Sequence, residues 1–180
     1  MGKLDVEFAY AACTLFCAIG GAVYDVITRK IPNAFTLPAV LFGLLLHFAL
    51  GGWGQLGAAA AAGLVCGFIF LLFYLAGGMG GGDVKLITAV GCNAGLSLIG
   101  PLLILTSLAG GVMAIGLALY HRRLKQTFVN TCRLAVHHGT AGLRRHPELN
   151  LDNTQALRLP YALAIAAGSA LSLCLLMVQR

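Results

Sequence analysis

Two aspartates stand where carboxylates are costly. Asp83 closes the run Gly77-Gly78-Met79-Gly80-Gly81-Gly82-Asp83 between two apolar stretches. Asp25 ends the first apolar stretch, in Tyr24-Asp25-Val26-Ile27-Thr28-Arg29-Lys30-Ile31-Pro32-Asn33. A charged acid in the middle of a lipid-facing helix costs several kcal/mol, so acids at membrane depth face protein or water and usually serve a function. Two carboxylates held a few ångströms apart cannot both ionise easily, and one keeps its proton. Such a pair activates a water through its ionised member while the protonated member polarises a carbonyl, and the roles exchange as the amine leaves. That chemistry is peptide hydrolysis without a metal or a covalent intermediate. Five of the six residues before Asp83 are glycines, which admit the close approach of another backbone.

Taken singly, each acid has a plainer reading: Asp25 ends a helix and Asp83 caps one. What joins them is depth, and depth depends on the elements that carry them. The chain has 180 residues, 59% hydrophobic and 10% charged, with a mean hydropathy of +0.88. Soluble domains carry about a quarter charged residues, so this is the composition of a polytopic membrane protein. The expected architecture is all-α, one transmembrane domain over 1–180 with about six spans. They are placed at 7–24, 34–50, 56–76, 84–95, 98–120 and 160–178, with a basic loop over 121–159. Asp5 and Glu7 make the start a poor signal-peptide n-region, so the first apolar run is expected to be retained.

Pro32 suits the entry to the second helix, Asn33 and Thr36 are candidate caps, and Pro38 is a candidate kink. Trp53 falls in an uncharged turn, as expected of an interfacial aromatic. His47 is expected to be interfacial or hydrogen-bonded rather than catalytic. Asp83 is expected to cap a short helix starting at Val84, surrounded by protein rather than lipid.

Ten of the twelve basic residues fall on one side of this arrangement: Arg29, Lys30, Lys85 and seven in the long loop. Only Lys3 and Arg180 fall opposite. The positive-inside rule then puts the N-terminus outside, the loop in the cytoplasm, and both Asp25 and Asp83 at the cytoplasmic ends of their helices. At matched depth, beside the glycine run, the pair reads as one catalytic site.

Other features carry less. The net charge of +6 is explained by topology and anionic lipid, not nucleic acid. Residues 126–137 suit a short amphipathic helix on the bilayer surface. The six cysteines form no C-x-x-C pair and the histidines no metal-ligand spacing, so neither a disulfide framework, nor a metal, nor any cofactor is expected.

Three segments resemble the bacterial prepilin peptidases. Asp25 to Asn33 looks like their D-x-x-x-R/K-x-I-P-N segment. Gly80-Gly81-Gly82-Asp83-Val84-Lys85-Leu86 matches their G-x-G-D-V-K-L, and Pro160-Tyr161 to Gly168 is similar to their last span. The resemblance implies that Asp25 and Asp83 are the catalytic aspartates of a membrane aspartyl endopeptidase, with Arg29, Pro32, Asn33, Gly80, Gly82 and Lys85 in support. It implies a bacterial inner-membrane location and, as partners, the lipid bilayer and a type IV prepilin or pseudopilin. The leader of that substrate would be removed at a glycine before its apolar segment. The paired C-x-x-C insert of the larger, N-methylating members has no counterpart here, so the chain resembles the short Flp/Tad-type form and methyl transfer is not expected. Two rival readings use the same acids: a presenilin-like intramembrane protease, which lacks its P-A-L motif here, and a small proton- or cation-coupled transporter.

Overall fold

In a computed structural model, described over residues 3–142 and 160–178, the chain forms five helices. They are α1 (Lys3–Thr28), α2 (Asn33–Leu75), α3 (Gly81–Tyr120), α4 (Leu124–Ala141) and α5 (Tyr161–Val178). No strand occurs among the described residues. Four helices are long and apolar enough to cross a membrane: Asp5–Thr28, Asn33–Leu75, Gly81–Tyr120 and Tyr161–Val178. Their outward faces suit lipid, with Phe16, Ile27, Leu64, Phe68 and Val112 all exposed.

The expected six segments become four helices because α2 and α3 each join two of them. A straight helix as long as α2 would reach about 65 Å, twice the roughly 30 Å hydrocarbon core. Neither helix is straight. Gly52 (φ 69°, ψ −161°) interrupts α2 and Gly95 (φ 69°, ψ 172°) interrupts α3, in a region of backbone space open essentially to glycine alone. Pro38 carries no such break.

Both interruptions reverse the chain. A Cβ on Gly43 would come within 2.9 Å of Asn93, and one on Gly63 would run into the Cys92 sulfur. Positions 43 and 63 would be about 30 Å apart on a straight helix, yet they flank neighbouring residues of α3. So α2 folds back at Gly52 into antiparallel arms, 33–51 and 53–75. In α3, Gly81 faces the Tyr74 ring, while Gly110 abuts the ring of Tyr161. Tyr161 packs edge-on against Phe70, one turn from Tyr74, with ring centroids 5.6 Å apart. Positions 81 and 110 are therefore level, and α3 folds back at Gly95 into arms 81–94 and 96–120.

The first arm of α3 is the centre of the bundle. Leu86, Ile87, Ala89 and Val90 are completely buried, as are Ala59, Ala62 and Cys66 opposite them. Small residues set the spacing: a Cβ at Gly63 or Gly67 would collide with Cys92 or Thr88, and one at Gly91 would crowd Cys66. Close backbone approach of this kind is how membrane helices gain packing energy without a hydrophobic drive between them.

One polar knot crosses this core. Asn93 donates from Nδ2 to the carbonyls of Ala39 (3.0 Å) and Ala89 (2.8 Å). His47 is buried and its Nε2 lies 3.1 Å from the Asn93 carbonyl oxygen. In an unbroken helix that carbonyl would accept from the Ser97 N–H, which lies beyond the break at Gly95; the imidazole takes its place. Tyr10 stacks on the ring of His47 at 3.7 Å between centroids. His47 is thus a hydrogen-bonded core residue, not an interfacial one.

Of the expected basic loop, 124–141 forms α4; residues 143–159, with Arg144, Arg145 and Arg158, lie outside the described residues, as does Arg180.

Candidate active site

Asp25 lies inside α1, one turn from its end, rather than after it. The helix carries on to Thr28 because no breaker precedes Arg29, and it ends there by a local device. Arg29 adopts φ 52°, and its N–H donates to the Asp25 carbonyl at 2.8 Å. The Thr28 hydroxyl lies 2.8 Å from the Tyr24 carbonyl and 2.7 Å from that of Lys30, and accepts from the Lys30 N–H at 3.3 Å. A left-handed non-glycine residue costs on the order of 1 kcal/mol or more, so this turn is held by its surroundings. It keeps the Arg29 guanidinium within electrostatic range of the Asp25 carboxylate.

Asp83 also sits one turn inside its helix. Expected as the N-cap before Val84, it is instead the third residue of α3, with Gly80 in the cap position. The cause is local: Gly80 has no side chain to offer, so the carboxylate reaches back and accepts from the Gly80 N–H at 3.3 Å. A carboxylate in a first turn is also favoured by the helix dipole.

Two contacts bring these termini together. Gly21, one turn before Asp25, is where Leu86, one turn after Asp83, inserts its side chain. Ile31, buried in the turn after α1, faces Gly82, where a Cβ would stand 3.5 Å from Ile31 Cβ and Cγ1. Asp25 and Asp83 therefore share one end of the bundle, both half-buried.

The supporting residues divide. Gly80 and Gly82 line the approach to Asp83. The separation at Gly82 is ordinary van der Waals contact, so the position tolerates one methyl group. Pro32 is the N-cap of α2 (φ −73°, ψ 147°), and its carbonyl accepts from the Phe35 N–H at 3.1 Å and the Thr36 N–H at 3.2 Å. Asn33 begins α2 exposed, and no side chain caps that helix; neither Asn33 nor Thr36 plays the expected part. Arg29 and Lys85 are exposed at the same end.

Sequence reasoning did not single out Gly21, Ile31 or Leu86 as determinants of the site. Gly21 is signalled only as a glycine one turn from an acid, whereas Ile31 and Leu86 are letters of the two quoted motifs whose contacts the motifs do not state. It also passed over Tyr161 as a neighbour of the acids. Its phenol lies within electrostatic range of Asp83, held between Phe70 and Gly110. An apolar cleft of about 300 Å³ lies between α1 and α5, lined by Ile19, Ala22, Val23, Val26 and Ile27 with Leu163 and Ala166.

Residues 9–115, which hold both acids and the turns around them, match the profile of the type IV leader peptidase family. The chain belongs to that family. Proteins named prepilin leader peptidase/N-methyltransferase are among its relatives. The one from Aeromonas hydrophila is 41% identical over 103 residues, 53% of this chain and 35% of that protein. The one from Neisseria gonorrhoeae is 35% identical over 99 residues, 51% of this chain and 34% of that protein. The match to the Bacillus subtilis (strain 168) protein is longer, 33% identical over 177 residues, covering 94% of this chain and 56% of that protein. This leader peptidase family member thus spans about a third to a half of the length of the curated relatives it matches. No solved structure matches it.

Proposed function

We propose that this chain is a membrane-embedded aspartyl endopeptidase that removes the leader peptides of type IV prepilins or pseudopilins, with Asp25 and Asp83 as its catalytic pair. The observation that carries the reading is the double contact Gly21–Leu86 and Ile31–Gly82, which joins the two acid-bearing helix ends. Family membership and the names of the relatives supply the substrate class.

In this mechanism one carboxylate is ionised and takes a proton from water, while the other is protonated and donates to the scissile carbonyl. The water oxygen bonds to the carbonyl carbon and gives a tetrahedral diol. The acid that took water's proton then gives it to the leaving nitrogen while its partner takes a proton from a diol hydroxyl, so the C–N bond breaks, a carboxylic acid forms and the pair returns to its starting state. The Gly80 N–H, donating to Asp83 Oδ2, leaves the other carboxylate oxygen for this exchange. Gly80 and Gly82 leave room for an extended substrate backbone beside Asp83. Arg29 and Lys85, exposed at the same end, offset the negative charge of the site.

The arms of α2 and α3, with α1 and α5, would make six crossings of a bacterial inner membrane, N-terminus outside. The ten-to-two bias of basic residues supports placing the acids at the cytoplasmic face.

The test is a double-mutant comparison on a synthetic prepilin in detergent. Asp25→Asn and Asp83→Asn should each abolish leader cleavage, and the double variant should be no worse than either single, because residues acting as a unit are non-additive. Asp→Glu at either position should lose on the order of a hundredfold, since an added methylene displaces the carboxylate by about 1 Å. Substantial cleavage by either Asn variant refutes the paired mechanism.

A further inference from the structure

The catalytic reading leaves α4 without a role, and α4 has a distinctive placement. Helix α3 ends in a Schellman motif at its last turn. The Arg123 N–H donates to the Ala118 carbonyl at 2.9 Å, the Arg122 N–H donates to the Leu119 carbonyl at 2.9 Å, and Arg122 has φ 53°. That motif ordinarily takes glycine at the left-handed position; here it takes an arginine. It stops the span abruptly, and α4 starts at Leu124. So short a link keeps the start of α4 at the depth where α3 leaves the membrane.

Among the described elements α4 touches α3 alone. Its sequence sorts by face. Leu124, Phe128, Cys132 and Val136 recur every fourth residue, with Lys125 beside this stripe and Arg133 at its border, while Gln126, Asn130 and His137 lie on the far side. The apolar side is largely open: Phe128 is 71% exposed, Val136 68% and Leu124 44%. Residues 121–142 contain Arg122, Arg123, Lys125 and Arg133 and no acid at all. A soluble protein partner would fit the apolar side, but nothing about it explains four cations, no acids, and a start fixed at the membrane surface.

We propose that α4 lies in the plane of the bilayer as an anionic-lipid-binding helix. Its Leu124–Phe128–Val136 side enters the headgroup–acyl boundary, and Arg122, Arg123, Lys125 and Arg133 hold phospholipid headgroups. Apolar burial and headgroup attraction act jointly in helices of this kind. The proposal rests on the membrane embedding of the chain and not on its peptidase chemistry, so it stands or falls by lipid contact alone.

The experiment uses the full chain in nanodiscs of phosphatidylcholine, with or without phosphatidylglycerol. In a Trp53→Phe background, Phe128→Trp places the single tryptophan on the proposed buried side, and Leu124→Trp is an independent reporter. Both should be quenched by lipids brominated in the acyl chain, and amide exchange over 124–141 should slow when phosphatidylglycerol is present. Lys125→Gln with Arg133→Gln should remove roughly thirtyfold of the anionic-lipid effect, two factors of about five. Leader cleavage, measured in parallel, reports on the other reading. The proposal is overturned if neither tryptophan is quenched, if exchange is the same in both lipids, or if protection follows protein concentration instead of lipid composition. The last result would assign the helix to a second copy of the chain.

Discussion

Leu86 fills the space that Gly21 leaves empty. Any Cβ at position 21 would run into the Leu86 side chain, and these residues stand one turn from Asp25 and Asp83. The contact sets the separation of the two acid-bearing helices. Gly21→Val should push them apart and lower leader cleavage by about a hundredfold, the scale expected for a displacement near 1 Å, while the protein still accumulates in the membrane. Leu86→Ala in the same chain should restore part of the loss by making room. Measuring cleavage rates for the two singles and the double decides it; a Gly21→Val enzyme as fast as wild type would remove this contact from the mechanism.

Gly82 should discriminate by size. One methyl at this position makes ordinary contact with Ile31, so Gly82→Ala should keep activity within a few fold. Gly82→Val needs Ile31 to move and should lose tenfold or more, on the scale set by sub-ångström misplacement of catalytic groups. The comparison is read as initial rates at matched protein levels. Equal rates for Val and wild type would show that the glycine run is no more than a hinge.

The two reversals should respond unequally to the same change. Gly52 and Gly95 share φ 69°, so alanine costs about 1–3 kcal/mol of backbone strain at either. At Gly52 the added methyl meets open space, whereas at Gly95 it would stand 2.5 Å from His47 Cε1. Gly95→Ala should therefore be the more destabilising, visible as a larger drop in thermal unfolding temperature. His47→Ala should cost about 1–3 kcal/mol by itself, since it strands the Asn93 carbonyl. Equal losses for the two glycine variants would mean that the His47 knot yields freely.

Topology supplies a further check. Reporters fused after Lys30, after Lys85 or within 126–142 should read as cytoplasmic, and one at Trp53 as external. A cytoplasmic Trp53 would contradict the reversal of α2 within the membrane and, with it, the shared face of the acids.

Much of this was legible in one dimension. The apolar runs announce membrane helices because a buried backbone needs internal hydrogen bonds. The two acids stand out against those runs, and the glycines at 51–52 and 91–95 mark where runs stop. Local signals of this kind need no partner to be read.

Other features are decided only by the fold. The sequence places Asp83 at a helix start but not at its third position, because whether glycines 81 and 82 join a helix depends on what packs beside them. It shows glycines at 52 and 95 but not that α2 and α3 stay helical up to a single reversing residue. It contains His47 and Asn93 46 positions apart, and only the return of α3 against α2 puts an imidazole on the carbonyl freed at the break. Most of all, the pairing of Asp25 with Asp83 depends on Gly21 meeting Leu86 and Gly82 meeting Ile31. Each is an ordinary residue in its own helix or turn, and its meaning comes from the neighbour that tertiary packing supplies.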